Sequence, residues 1–191
     1  MSTVALAGGA FVFGKLPRHG DFVARGLQPE VRSIWDDRFS YQLAMARERL
    51  GANFEAAHGL APPWRFCFGP GPFGSGWRAG CVAPSVDASG RMFFIVVGGH
   101  TPLALSDTSA ESVACSLEGL IYDALQSGWD VDTLFEAAQT EWVQGFDRAV
   151  PAAGADVTDR WWVADTTIST TQFPRSLIEP LIEEPAMQAG L

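Results

Sequence analysis

Hydrophobic positions change their period several times along this chain, and each change predicts an element. Ala10-Phe11-Val12-Phe13 is an unbroken apolar run and reads as a buried strand. From Glu30 to Leu50 the apolar residues fall at Val31, Ile34, Trp35, Phe39, Leu43, Ala46 and Leu50. That is the 3.6-residue period of an amphipathic helix, with Arg32, Asp36, Asp37, Glu48 and Arg49 on the other face. Pro29 suits its first turn and Gly51 its end. Asn53 to His58 reads as a short helical turn stopped by Gly59 and Pro62-Pro63. Trp64, Phe66 and Phe68 then alternate with Arg65 and Cys67, the period of a half-buried strand. Beyond a Gly/Pro loop at 69–76, strands are predicted over Trp77–Ala83 and Arg91–Val97. The turn Asp87-Ala88-Ser89-Gly90 joins them, making a three-stranded antiparallel meander.

Thr108-Ser109-Ala110-Glu111 has the spacing of a capping box, and Val113, Leu117, Leu120, Ile121 and Leu125 follow it at helical spacing up to Gly128. Asp130 or Asp132 caps a further helix running to about Gln144. Residues 151–158 form a small-residue linker, Arg160 to Ala164 a last strand, and Pro174 to Glu183 a short acidic helix; the tail beyond Pro185 frays. Helices therefore flank a largely antiparallel sheet, the α/β class. The chain reads as a single domain, 1–191, with a motif-rich core at 10–145, a C-terminal strand and helix at 146–185, and a tail at 186–191.

Composition narrows the partners. The 191 residues are 47% hydrophobic and 18% charged, which is globular. Thirteen basic residues face 22 acidic ones for a net charge of −9, and Lys15 is the one lysine. This balance argues against nucleic acid and anionic membranes. No apolar run reaches the ~18 residues of a membrane span, and the N-terminal stretch lacks the basic region of a secretory signal. Cys67, Cys81 and Cys115 are odd in number and include no CxxC, so free thiols in a reducing cytosol are expected.

Two polar blocks interrupt the apolar pattern. The first, Gly14 to Gly26, holds three glycines, a proline and the ionisable residues Lys15, Arg18, His19, Asp21 and Arg25. The second is Pro84-Ser85-Val86-Asp87-Ala88-Ser89-Gly90-Arg91. Gly9 to Lys15 spells GxxxxGK, but Leu16 replaces the Mg²⁺-binding hydroxyl and the bulky spacer reads as strand, so it is not a phosphate loop. Ser85 has no GxSxG context and no identifiable base. Asp87 and Arg91 are expected to pair across their turn; Asp21 and Arg25, four apart, would pair only on a helical turn. His19, His58 and His100 lack metal-ligand spacing, and His58 is placed near a helix C-terminus, where a proton is mildly favoured. Trp161-Trp162 reads equally as packing on both faces of a sheet or as one exposed interface anchor. No catalytic residue, metal or cofactor is expected. The contact candidates are Lys15, Arg18, His19, Asp21, Arg25, Asp87 and Arg91, because both blocks are loops on a rigid sheet.

Taken in order, Gly14-Lys15-Leu16-Pro17, Gly20-Asp21-Phe22-Val23, Arg25-Gly26-Leu27, Trp35-Asp36, Arg47 to Gly51, Ala61-Pro62, Trp64-Arg65-Phe66, the 84–91 block and Trp161-Trp162 resemble the TagF (ImpM) family of type VI secretion-associated proteins. The match is densest over 10–98 and thinner to about 185; Met92-Phe93-Phe94 stands where a Phe-Pro is expected. The resemblance implies a three-layer α-β-α sandwich around a mostly antiparallel mixed sheet. It also implies a cytoplasmic, non-enzymatic, virulence-associated accessory protein of the contractile injection machine that represses assembly and firing post-translationally. The implied partner is a secretion-system scaffold with a forkhead-associated domain, and other secretion components and a homodimer are compatible with it. The alternative is a small hydrolase or phosphate-handling enzyme using the 14–26 and 84–91 loops.

Overall fold

Residues 8–148 and 159–179 are described by a computed structural model. Seven strands form one sheet: β1 (Gly9–Gly14), β2 (Val23–Arg25), β3 (Trp64–Phe68), β4 (Trp77–Val86), β5 (Met92–Thr101), β6 (Arg160–Trp162) and β7 (Ser169–Thr170). Their order is β2-β1-β5-β4-β3-β6-β7, and every pairing is antiparallel. The helices are α1 (Pro29–Leu50), α2 (Phe54–Leu60), α3 (Asp107–Ser127) and α4 (Val131–Arg148), with a single 3₁₀ turn at Gly51–Asn53.

Side chains alternate across the strands, so neighbours in sequence enter different layers. Ala10, Val12, Cys81, Ile95 and Val97 meet Leu117, Ile121, Leu134 and Trp142 of α3 and α4. Phe11, Phe13, Phe66, Phe94 and Val96 meet Trp35, Phe39 and Leu43 of α1 and Phe54 of α2. The fold is the expected α-β-α sandwich, with an aliphatic layer on one side and an aromatic one on the other. Trp35 sits at the centre of the aromatic layer, 4.5 Å from the Phe73 ring centroid and 5.6 Å from that of Phe66. Such ring pairs contribute ~0.5–1.5 kcal/mol each beyond their buried area. Trp161 enters the aromatic layer and Trp162 the aliphatic one, both buried, which decides for packing on two faces. Gly99 of β5 lies under the Trp142 indole; a Cβ there would sit 2.0 Å from the ring.

Some elements differ from the sequence reading. The hairpin strands run longer, to Val86 and from Met92 to Thr101. The cap of α3 is Ser106, two residues before the expected box: its Oγ accepts the Ser109 N–H at 3.2 Å. Glu111 is thereby left to bind Arg65 of β3. Asp130 caps α4 by accepting the Thr133 N–H at 2.9 Å, which holds its carboxyl below the usual range. No helix forms over 174–179, because Gln42 of α1 binds that stretch through its backbone: its Nε2 donates to the Pro174 and Arg175 carbonyls, and its Oε1 accepts the Leu177 N–H. The predicted linker at 151–158 and the rest of the acidic helix and tail lie outside the described residues.

Candidate functional site

The two polar blocks meet at one end of the sheet, where β1 leaves the core and β4 turns into β5. Lys15, the first residue after β1, donates its N–H to the Phe94 carbonyl at 3.0 Å, and its own carbonyl accepts the Ser85 hydroxyl at 2.6 Å. Its ammonium reaches Asp87 Oδ2 at 2.8 Å, and both side chains are almost wholly buried. The ammonium also lies 5.0 Å from the centre of the Phe22 ring and 5.9 Å from that of Phe93, close enough for a cation–π attraction.

Asp87 explains the spacing of the second block. Its Oδ1 accepts the N–H and hydroxyl of Ser89, two residues on, and the N–H of Arg91, four residues on. Its Oδ2 takes the Arg91 Nε at 2.7 Å besides Lys15, the expected pairing across the turn. Gly90 closes the turn at φ 80°, where a side chain would be strained. The Lys15 hydrogen bond, aided by Ser89 and Arg91, holds the Asp87 carboxyl far below the usual carboxylate range.

The other half of the first block ties this knot to the helical layer. His19 accepts the Val131 N–H, at the start of α4, on Nε2 at 3.0 Å, while its carbonyl accepts the Ala88 N–H at 2.8 Å. Arg18 reaches the Gly128 carbonyl at 3.3 Å, and Arg91 the Gly20 carbonyl at 2.6 Å. Arg25 does not pair with Asp21, because β2 is a strand and not a helical turn; it binds Asp132 of α4 at 2.8 Å. Asp21 accepts the Phe22 N–H instead. The 14–26 loop is thus a clasp joining β5, the hairpin and α4.

Of the seven contact candidates, Lys15 and Asp87 are interior and belong to the clasp. Arg18 and Asp21 are exposed, as is most of the Arg91 side chain, and Phe22 presents 44% of its surface beside them. The Ser85 hydroxyl is buried on a main-chain carbonyl. His58, placed near a helix end with a favoured proton, is instead buried; its Nε2–H donates to the Phe93 carbonyl at 2.7 Å, and burial lowers its pKa. Arg65, bound by Glu111 and Glu118 of α3, was missed as a structural pair of layers. Two glutamates seven apart on one helical face, opposite an arginine in an otherwise apolar strand, are the signal for it.

Residues 11–141 match the TagF N-terminal domain, type VI secretion system-associated. The chain belongs to the TagF family. No curated protein matches this TagF-family chain. Its fold is similar to the crystal structure of PA0076 from Pseudomonas aeruginosa PAO1, at 22% identity and a TM-score of 0.67, over 95% of this chain and 99% of that one. Both blocks and their clasp lie inside the matched region. Among the described residues no helix is long and apolar enough to cross a membrane, and no three His, Cys, Asp or Glu side chains converge as a metal site.

Proposed function

We propose that this TagF-family chain is a cytoplasmic, non-enzymatic repressor of type VI secretion assembly and firing that works by occupying a scaffold protein bearing a forkhead-associated domain. The observation that carries this reading is the division of labour in the clasp. Lys15, Ser85 and Asp87 are spent on internal bonds, while Arg18, Asp21, Phe22 and Arg91 form an exposed rim on a base fixed by those bonds. A rigid rim with charges of both signs and one aromatic suits recognition of another polypeptide. The hydrolase alternative needs Ser85 free to attack and a base within reach, and its Oγ is committed to the Lys15 carbonyl.

Deleting the gene raises secretion of the tube protein and overexpressing it silences secretion; the reverse pattern would make the chain an assembly factor. In pull-downs with the scaffold, Arg18→Glu and Asp21→Lys together weaken capture while the melting temperature stays within about 2 °C. Undiminished capture would remove this rim from the interface. Turnover of generic phosphatase or esterase substrates, lost in Ser85→Ala, would replace the reading with an enzymatic one.

A further inference from the structure

A second surface lies along α1, on elements that share no residue with the clasp. Two cavities, of about 490 and 690 Å³, adjoin between the outer face of α1 and the 168–179 segment, with Tyr41, Gln42, Phe173, Pro174 and Arg175 common to both. Cavities of this size accommodate a side chain or two of a bound segment. Tyr41 and Met45, four apart on one helical face, are 62% and 47% exposed, two of the five large exposed hydrophobics among the described residues.

The groove has fixed walls. Gln42 pins the backbone of 174–177, and Arg49 bonds Glu179 at 2.7 Å. Two polar atoms in residues lining the smaller cavity lack partners although both residues are more than nine-tenths buried: the Trp64 indole N–H and Glu179 Oε1. One is a donor and the other an acceptor, the two functions a peptide group supplies in reverse. Leaving buried groups unpaired is costly.

Its charge departs from that of the chain. Arg38, Arg49 and Arg175 line the two cavities against Asp37 and Glu179, a local excess of one positive charge in a protein of net −9. Glu179 is already neutralised by Arg49. Arg38 is held with its guanidinium 4.9 Å from the centre of the Phe173 ring, between the apolar floor and solvent.

We propose that this groove seats an extended acidic peptide segment of a partner protein, its apolar side chain in the Tyr41–Met45–Phe173 hollow and its carboxylates toward Arg38 and Arg175. It stands apart from the clasp rim, so either surface can fail without the other. The test uses the full chain and two fluorescent peptides of about ten residues, one alternating Glu with Leu and the other Lys with Leu. Fluorescence polarisation is expected to show saturable binding of the glutamate peptide, weakened by salt, and none of the lysine peptide. The double variant Tyr41→Ala/Met45→Ala and, separately, Arg175→Glu each weaken it by roughly tenfold or more, with circular dichroism confirming that each variant is folded. Equal binding of both peptides, no binding, or binding unchanged in folded variants overturns the proposal. A concentration-dependent dimer that the Tyr41→Ala/Met45→Ala variant abolishes overturns it too, by giving the groove to a second copy.

Discussion

Lys15 and Asp87 stand 72 positions apart in the chain and meet at 2.8 Å, and Arg91 approaches the same carboxylate oxygen from the solvent side at 2.7 Å. Two loops that look like separate surface features are one interior ion pair with an exposed margin. Removing one member of a buried pair strands the other. Lys15→Met is therefore expected to lower Tm by roughly 6 °C or more, whereas Arg18→Glu leaves it nearly unchanged. Thermal melts of the two variants make the comparison.

Acid acts on the same pair. The Asp87 carboxyl titrates lower in the folded chain than in the unfolded one, chiefly through Lys15. The unfolded state thus takes up its proton first as pH falls. Its stabilisation is complete above about pH 4, the unfolded aspartate value, and is lost progressively below it. Chemical denaturation at pH 5 and pH 3 should show a smaller loss in Asp87→Asn, from a lower starting stability, than in the parent chain.

His58 governs a higher window. Burial lowers its pKa from 6.5, against the opposing effect of its bond to Phe93. The unfolded chain again binds the proton more readily, so stability is full above about pH 6.5 and falls as pH drops through that value. His58→Gln keeps a donor for the Phe93 carbonyl and removes the titration. Its denaturation midpoint is expected to change less than that of the parent between pH 7.5 and 5.5.

Thiol chemistry separates the layers from the surface. Burial pushes the Cys67 thiol up to about 12 and that of Cys81 well above its ordinary value, while Cys115 is exposed. A chromogenic disulfide reagent should titrate one thiol of the three quickly in the native chain and the other two only after denaturant is added. Rapid reaction of two or more in native buffer would mean that the sheet opens.

The layers were legible because their signals are periodic. The Val31 to Leu50 spacing gave α1, and the Trp64-Phe66-Phe68 alternation gave β3 and its aromatic face. Position-specific chemistry was less visible. Ser106 won the cap of α3 because Glu111 had a stronger claim elsewhere, on the Arg65 guanidinium across the layer boundary. Gln42 occupies an apolar stripe position and reads as an interruption, yet its amide substitutes for a strand partner to the 174–177 backbone. In the clasp the Asp87–Arg91 contact was local and readable, whereas Lys15–Asp87 and His19–Val131 join residues separated by loops whose course no period describes.

The place of β6 in the sheet bears on how this protein can be cut. It hydrogen-bonds along β3, Arg65 facing Trp162 and Phe66 facing Trp161, although it comes after every element of the family match. A fragment trimmed to residues 11–141 would leave the backbone of β3 as a naked border and take one indole out of each layer. Such a fragment invites edge-to-edge association in solution, so the smallest piece worth expressing for binding work reaches past the second tryptophan.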